Sequence, residues 1–417
     1  AYVFQRDHGG PDVWGQVAKL VASDARDDDY FGYSVAISGD TVLAGALGDD
    51  DNGSRSGSAY VFRRDYGGPD AWGQVAKITS ADGEAYDEFG FSVAIGGDTA
   101  VVGSRNDDDN GSDAGAAYVF QRDHGGPEAW GQTAKITADD GAPTDEFGFS
   151  VAVSDDSAVV GAPRDDDGGW SSGSAYVFER NQGGPGTWGQ TAKLVGSDGE
   201  QYDSFGWSVA ISSDIAVVGA RWDDVGTGSA YVFERNQGGP GAWGQVTKLV
   251  AADREEYDSF GWSVAASGDT VVSGAPGDND TGENSGSAYL FERDQGGPGV
   301  WGQLTKLPCP PAYSARHDSF GLAAAVSGDT AVVGATGDDD LGEDAGSAYI
   351  FQRDHGAPGW WGQVAKLTAA DGAPGDSFGS SVAISGDTAV VGADAADTGT
   401  GSAYVFRRDH GGPNAWG

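Results

Sequence analysis

The stretch that decides the fold is DYFGYSVAISGDTVLAGA, residues 29–46. It holds two short runs of strand-forming residues, Gly32 to Ile37 and Thr41 to Ala46, on either side of Ser38-Gly39-Asp40. Apolar and β-branched runs bounded by a glycine-containing turn are typical of a β-hairpin. We therefore predict strand A over the first run and strand B over the second.

The same pattern recurs along the whole chain. Within the first unit, Ser58 to Arg63 alternates small and aromatic residues and predicts strand C, and Trp72 to Ile78 predicts strand D. No segment has the pattern of a helix. Phe-Gly, the start of each unit, occurs seven times at intervals of 55 to 60 residues, with the phenylalanines Phe31, Phe89, Phe147, Phe205, Phe260, Phe320 and Phe378.

Four antiparallel strands per unit of this length predict an all-β, seven-bladed β-propeller. A β-solenoid is the alternative, but its coils are usually much shorter. Tryptophan recurs at the start of strand D, where packing between blades is a more common role than ligand stacking. These tryptophans are Trp14, Trp72, Trp130, Trp188, Trp243, Trp301, Trp361 and Trp416.

The ends of the chain predict how the ring closes. We expect one domain over residues 1–417, with blades that start near residues 30, 88, 146, 204, 259, 319 and 377 and with residues 1–20 supplying strands C and D of the last blade. Two copies of strand C, Ala1–Phe4 and Ala403–Phe406, then compete for one place. The displaced copy could pair with another molecule, so self-association or filament growth is a further expectation.

Composition narrows the classes of partner. The chain has 64 acidic and 24 basic residues and a formal net charge of −40, which argues against nucleic acid and anionic membranes as partners. No run is long enough to span a bilayer, and one cysteine, Cys309, cannot form an internal disulfide. Because the chain begins at Ala1 inside a repeat, we expect a segment of a longer product.

The Phe-Gly and Gly-Ala-Pro elements resemble FG-GAP repeats, the family that includes the integrin alpha-chain propeller. Gly161-Ala162-Pro163 and Gly274-Ala275-Pro276 match in full, and most other units lack only the proline. The resemblance covers all seven units and implies the propeller fold and a role in extracellular adhesion or assembly. The integrin-type calcium loop between strands A and B does not carry over, since Ser38-Gly39-Asp40-Thr41 is too short to wrap a cation.

Acidic clusters lie instead between strands B and C, with the spacing D-x-D-x-G. Alternate carboxylates on such a loop can face one centre, as in calcium loops, so we predict weak Ca²⁺ sites there. A plain solvated acidic surface is the alternative. The predicted ligands are Asp49, Asp51, Asp107, Asp109, Asp165, Asp167, Asp278, Asp280, Asp338 and Asp340.

A second acid precedes each Phe-Gly by two residues, as Asp29 and Asp258 do. The loops between strands D and A lie on the same face of a blade as the B–C loops, so this acid could complete the predicted metal site. Capping of nearby backbone N–H groups is the alternative role.

Other candidate sites lie in the same loops. Asn52, Asn110 and Asn279 begin N-glycosylation sequons. Trp170 and Trp222 are candidate partner-binding residues, and Trp207 and Trp262 follow Phe-Gly in units four and five. Stacking on a sugar is possible at these positions, although packing is more common.

These observations support a non-enzymatic binding or assembly module at the cell surface or outside the cell, with protein or glycan partners and possible stabilisation by Ca²⁺. A carbohydrate-binding propeller is the alternative. A propeller enzyme finds little support, because four of the five histidines occupy a turn position that also accepts tyrosine or glutamine. No nucleophile elbow, phosphate loop or zinc ligand set is present in the sequence.

Overall fold

The computed structural model describes residues 14–308 and 317–408. Within these residues the chain forms 28 strands and two four-residue helical turns. The strands form seven separate four-stranded antiparallel sheets. The prediction of a seven-bladed β-propeller is therefore confirmed.

The strands in chain order are β1 (Gly15–Leu20), β2 (Phe31–Ser38), β3 (Thr41–Ala46), β4 (Ser58–Arg64), β5 (Trp72–Ile78), β6 (Ser92–Gly96), β7 (Thr99–Ser104), β8 (Ala116–Arg122), β9 (Trp130–Ile136), β10 (Ser150–Ser154), β11 (Ser157–Ala162), β12 (Ser174–Arg180), β13 (Trp188–Leu194), β14 (Phe205–Ser212), β15 (Ile215–Ala220), β16 (Ser229–Arg235), β17 (Trp243–Leu249), β18 (Ser263–Ser267), β19 (Thr270–Ala275), β20 (Ser287–Glu292), β21 (Gly302–Pro308), β22 (Ala324–Ser327), β23 (Thr330–Ala335), β24 (Ser347–Arg353), β25 (Trp361–Leu367), β26 (Val382–Ser385), β27 (Thr388–Ala393) and β28 (Ser402–Arg407). Blades 1 to 6 take four consecutive strands each, from β2 to β25, as strands A, B, C and D.

The expectation that no segment is helical was wrong at two places. Short helical turns α1 (Asp223–Gly226) and α2 (Ala396–Gly399) replace the acidic loop in blades 4 and 7. Each contains two residues with left-handed backbone angles, so each is a tight turn rather than a helix with its own period. These are the two units that lack the D-x-D-x-G sequence, which explains their different loop.

Blade 7 joins the two ends of the chain. Its strands lie in the order β1-β28-β27-β26, with Leu20 of β1 opposite Ala403 of β28. Closure by the N-terminal strand D is therefore confirmed, and the copy of strand C that enters the blade is the C-terminal one. The competing copy, Ala1–Phe4, lies outside the described residues, so self-association through it stays a prediction.

The signature glycines allow neighbouring blades to approach closely. A Cβ added to Gly45 at the end of strand B would lie 2.0 Å from the Gly90 carbonyl oxygen of the next blade. The Ser34 hydroxyl donates a hydrogen bond of 2.8 Å to that same oxygen. Phe89, beside Gly90, packs edge-on against Tyr118 of its own blade. The repeated Phe-Gly and Gly-Ala elements are thus the contact between one blade and the next.

The tryptophans of strand D pack between blades, as predicted. Trp72 of blade 1 is buried in one cluster with Val390 and Val405 of blade 7. Trp416 lies outside the described residues. The other members of the set pack in the corresponding clusters: Trp14, Trp130, Trp188, Trp243, Trp301 and Trp361.

The two faces of the ring carry different connections. The B–C loop of each blade contacts the D–A loop that enters the next blade, as in the 2.8 Å hydrogen bond from the Tyr86 N–H to the Ser54 carbonyl. We call this face, formed by the D–A and B–C loops, the loop face. The A–B and C–D turns lie on the opposite face, where the Arg64 N–H donates to the Asp40 carbonyl at 2.9 Å.

Candidate functional site

A lysine ammonium group lies among the carboxylates of each described D-x-D-x-G loop. In blade 5, Lys306 Nζ is 2.7 Å from Asp278 Oδ2 and 2.6 Å from Asp280 Oδ2. It is also 2.9 Å from Asp253 Oδ2, which belongs to the D–A loop that enters the blade. The lysine comes from strand D, so the tertiary fold rather than the loop itself gathers these three carboxylates.

The central carboxylate, Asp278, is buried, and both of its oxygens accept hydrogen bonds. Asp278 is 3% exposed, accepts a 2.7 Å hydrogen bond from the Tyr289 hydroxyl and accepts another of 2.9 Å from the Asp280 N–H. Burial alone would lower the pKa of Lys306, but its hydrogen bonds to the three aspartates raise that pKa above its ordinary value. Burial would likewise raise the pKa of Asp253, but hydrogen bonds from Lys306 and Tyr289 hold it below its usual value. The cluster is therefore a charged ion-pair network at neutral pH.

The network repeats around the ring. In blades 4 and 7, which lack the D-x-D-x-G sequence, Lys248 contacts Asp198 and Asp223, and Lys19 contacts Asp371 and Asp397. The remaining networks are Lys77 with Asp24, Asp49 and Asp51; Lys135 with Asp82, Asp107 and Asp109; Lys193 with Asp140, Asp165 and Asp167; and Lys366 with Asp338 and Asp340.

The carboxylates of these loops could bind a small cation, but a lysine ammonium group of the protein already occupies the space between them. Around Lys77 and around Lys306, three carboxylates each offer one oxygen within 4.8 Å of the others. Carboxylate oxygens are the ligands that Ca²⁺ prefers, but it takes six to eight of them. An incoming ion would have to displace the lysine from its 2.5 to 2.9 Å contacts. The predicted Ca²⁺ sites stay a prediction, and Ca²⁺ binding there would require displacement of the lysine.

The acid before each Phe-Gly has a different role from the one proposed for a metal ligand. Asp258 Oδ2 accepts a 2.7 Å hydrogen bond from the Glu255 N–H three residues earlier. The same cap forms at Asp29, Asp87, Asp145, Asp203 and Asp376. Backbone capping, the alternative role, is therefore what the structure shows. Burial raises the pKa of Asp258 to about 6, with the cap partly opposing it and the Asp278 charge adding to it.

Sequence reasoning missed the lysine of strand D in every network and, in six of the seven, the aspartate of the D–A loop. Both left a signal. The lysine recurs in every W-G-Q-x-x-K segment, and an aspartate precedes the capping aspartate by five residues in all units but the sixth. Recurrence of Lys306 and Asp253 in their units pointed to a structural role, but nothing local paired them with Asp278.

The glycosylation and tryptophan candidates lie in exposed parts of the loop face. Asn52, Asn110 and Asn279 are exposed, and the Asn279 side-chain oxygen accepts a 2.8 Å hydrogen bond from the Asn284 N–H. Glycosylation at these asparagines stays a prediction. Trp170 is 70% exposed and projects from the B–C loop of blade 3.

Trp222 lines a cavity of about 730 Å³ on the loop face. The cavity lies where α1 of blade 4 replaces the acidic loop, and Tyr202, Tyr257 and Val225 form exposed parts of its wall. Trp207, which also lines the cavity, belongs to strand A, and the A strands of neighbouring blades lie close together as the inner ring. The cavity therefore runs from the loops toward the centre of the propeller.

Arg164 lines this cavity and pairs with Glu146 at 3.1 Å, whereas Arg221 lies at its inner end. The guanidinium carbon of Arg221 is 3.5 Å from the ring centroid of Trp207 and 4.5 Å from that of Trp262. The ring centroid of Trp222 is 5.0 Å from the same carbon. Trp207 and Trp262 also contact each other, with ring centroids 5.3 Å apart and planes tilted by 58°, so the two rings and the arginine form one cluster.

Seven consecutive segments of the chain match the family model described as FG-GAP repeat. The matched residues are 14–62, 72–120, 130–178, 188–233, 243–291, 301–351 and 361–406. No curated protein matches the chain closely enough to count as a relative. Within the described residues, no helix is long and apolar enough to cross a membrane.

Proposed function

Since the chain belongs to the FG-GAP repeat family, we propose that it is a non-enzymatic binding module that acts outside the cell, as a component of the cell surface or of a fibre. FG-GAP propellers are typically non-catalytic, and such repeats are typical of extracellular and cell-surface proteins. The strongly acidic composition, with a net charge of −40, suits a protein or glycan partner better than nucleic acid.

One observation carries the proposal: a departure from the repeat in blade 4 coincides with a cavity on the loop face. The seven blades are nearly uniform in their strands, blades 4 and 7 depart in their B–C loops, and in blade 4 the departure is α1. The cavity of about 730 Å³ lies at that departure, with Trp222 and Tyr257 exposed in its wall. Pockets with aromatic walls and a few polar groups are the usual form of a binding site.

Ca²⁺ has a secondary role in this proposal. The lysine networks already neutralise part of the charge in each acidic loop, so the ring does not depend on metal to hold these loops. Ca²⁺ is proposed to add stability only where its concentration is high enough to compete with the lysine.

The test uses beads coated with the full chain. We would measure binding to purified polysaccharides and to beads that carry a second copy, in CaCl₂ and in EDTA with NaCl at matched ionic strength. The double variant Trp222→Ala with Tyr257→Ala alters the loop face. The matched control, Trp360→Ala, removes a tryptophan that is 69% exposed in a C–D turn of the opposite face.

Binding that is lost in the loop-face variant and kept in Trp360→Ala supports the proposal. Absence of any binding, or loss only in Trp360→Ala, contradicts it. Labelling intact source cells with an antibody against the chain tests the location, and a signal that needs permeabilisation contradicts the extracellular part.

Carbohydrate binding is the candidate ligand class that a specific observation favours. Exposed aromatic rings, Tyr202, Trp222 and Tyr257, surround the cavity, and the exposed acid Glu200 lies at its rim. Aromatic rings provide stacking surfaces, and carboxylates accept hydrogen bonds from hydroxyl groups. Polysaccharide binding in the bead experiment would distinguish this candidate from assembly between copies of the chain.

A further inference from the structure

Arg221 has no anionic partner among the described residues. Its Nε atom is buried without a hydrogen-bond partner, and its guanidinium group makes no ion pair within the described part of the chain. Burial lowers the pKa of Arg221 to about 10. A cation taken from water and left unpaired is costly, unless a ligand supplies the opposite charge.

In blade 2 the arginine at the equivalent position pairs with a carboxylate. Arg105 occupies the same position after strand B, and its guanidinium carbon stacks 3.9 Å from the ring centroid of Phe91. There, Glu88 accepts a 2.9 Å hydrogen bond from Arg105 Nε. Glu88 immediately precedes Phe-Gly in its unit, and in blade 4 the residue at that position is Ser204. Blade 4 thus has the stacked arginine of blade 2 but lacks the carboxylate that pairs with it there.

The cavity opens onto the place that the carboxylate would fill. Ser204, Arg221 and Trp222 line it together, with Tyr202 and Tyr257 further out. An anion that enters the cavity can pair with Arg221 while the rest of the ligand contacts the aromatic wall. Charge-assisted bonds to arginine are the stronger class of hydrogen bond, and aromatic contact adds area and orientation.

We propose that this cavity binds a carboxylated sugar, whose carboxylate pairs with Arg221 and whose ring lies against Trp222 and Tyr257. The inference rests on the proposed binding function of the loop face and specifies its ligand.

The acids around the cavity favour a sugar with one carboxylate per ring over a more densely charged anion. Asp198 and Asp223 line it and pair with Lys248, and Glu200, Asp203 and Asp224 also line it. These acids would repel a polyphosphate or a polysulfate. Carboxylates accept hydrogen bonds, so the same residues suit a ligand that presents hydroxyl groups. A uronic acid unit combines one negative charge with several hydroxyls and fits both requirements.

The experiment compares tri-galacturonate with its methyl ester, which keeps the sugar rings and removes the charge. Each is titrated into the full chain by calorimetry, and tryptophan fluorescence reports on the rings around Arg221. We expect saturable binding of tri-galacturonate and at least about tenfold weaker binding of the ester, the loss expected for one charge-assisted pair.

Two variants test the role of Arg221 by different routes. Arg221→Gln removes the cation, whereas Ser204→Glu supplies the internal carboxylate that Arg105 already has. Glutamate is accommodated at this position, because Glu88 and Glu146 hold it with the same φ of 55° that Ser204 has. Both variants should weaken tri-galacturonate binding about tenfold or more, and Arg105→Gln, the matched control, should leave it unchanged.

Equal binding of the acid and the ester, or unchanged binding in both Arg221→Gln and Ser204→Glu, would overturn the inference. So would an acetylated tripeptide with a free C-terminal carboxylate that binds through Arg221 when the sugar does not. If tri-galacturonate fails to bind but the bead experiment still depends on the loop face, only this inference is overturned and the proposed function stands.

Discussion

Lys306 Nζ lies 2.7 Å from Asp278 Oδ2, at the point where a metal ion would otherwise be expected. Asp278 comes from a B–C loop and Lys306 from the neighbouring strand D, so their contact ties the loop to its blade. Each D-x-D-x-G loop in this propeller therefore forms an ion-pair network with a lysine. An added cation would have to compete with that lysine for the carboxylates.

Replacing Lys306 by methionine should lower the stability of the fold and make it sensitive to calcium. The variant leaves Asp278, which is 3% exposed, without its cation, and we expect the free energy of unfolding to fall by about 2 kcal/mol in EDTA. Thermal unfolding in CaCl₂, with NaCl at matched ionic strength, would show whether Ca²⁺ restores the loss.

The double variant Lys306→Met with Asp280→Asn is the control, because it also removes one predicted ligand and should respond less to Ca²⁺. If CaCl₂ and NaCl stabilise Lys306→Met equally, the loop does not bind calcium even without its lysine, and the predicted metal ligands are wrong.

The capping aspartates should make the protein more stable in mild acid than at neutral pH. Burial is the main cause that raises the pKa of Asp258 to about 6, above its ordinary value of 3.8. A group with a raised pKa in the folded state stabilises the fold fully below its unfolded pKa and loses that contribution as the pH rises through the folded value. This contribution to stability is therefore lost as the pH rises between about pH 4 and 6. Asp87, Asp145 and Asp203, whose pKa is also raised, act in the same direction.

Asp258→Asn keeps an oxygen for the Glu255 N–H and removes the charge. Its melting temperature should fall less than that of the natural protein between pH 4 and pH 7. The exposed Asp139→Asn removes the same charge without this cap and should keep the original slope. A variant Asp258→Asn that is less stable than the natural protein at neutral pH would show that the charge itself holds the loop.

A serine at position 323 should stabilise the contact between blades 6 and 7. In six blades a serine hydroxyl donates to the Gly carbonyl of the next Phe-Gly element, as Ser263 does to Gly321 at 2.8 Å. Blade 6 has Ala323 at that position. Ala323→Ser should raise the free energy of unfolding by about 1 kcal/mol, measured by urea denaturation.

The reverse change, Ser263→Ala, should cost a similar amount in the same assay. If Ser263→Ala is destabilising and Ala323→Ser has no effect, the geometry between blades 6 and 7 differs from that of the other pairs.

The closing strand should be as important for stability as a strand within a continuous blade. Leu20 of β1 is 2% exposed, and Leu249 occupies the same place in blade 4 with 3% exposure. Leu20→Ala and Leu249→Ala should each cost about 3 kcal/mol, measured by chemical denaturation. A much smaller cost at Leu20 would mean that the ring opens at blade 7 before the rest of the protein unfolds.

The sequence by itself determined the repeated strands and the way the ring closes. Strands B and D of the first unit, Thr41–Ala46 and Trp72–Ile78, have the boundaries that their residues predicted. This was possible because a strand and its turn depend on residues close together in the chain, and seven repeats of one pattern remove the ambiguity of a single unit.

Only the tertiary structure decided which of two equal segments completes blade 7. Ala1–Phe4 and Ala403–Phe406 have the same sequence, so no local preference distinguishes them. The C-terminal copy follows β27 after a short turn and pairs with it directly, and a short connection makes that pairing less costly in chain entropy.

The chemistry of the loop face was also decided by tertiary contacts. Lys306 is 53 residues from Asp253, and Arg221 is 17 residues from Ser204, so neither relationship follows from a local pattern. The blades bring these side chains together, and the charge that a residue meets, or does not meet, depends on its neighbours in space. For this reason the sequence located the acidic loops and Trp222, whereas the structure showed the lysine within those loops and the unpaired arginine beside that tryptophan.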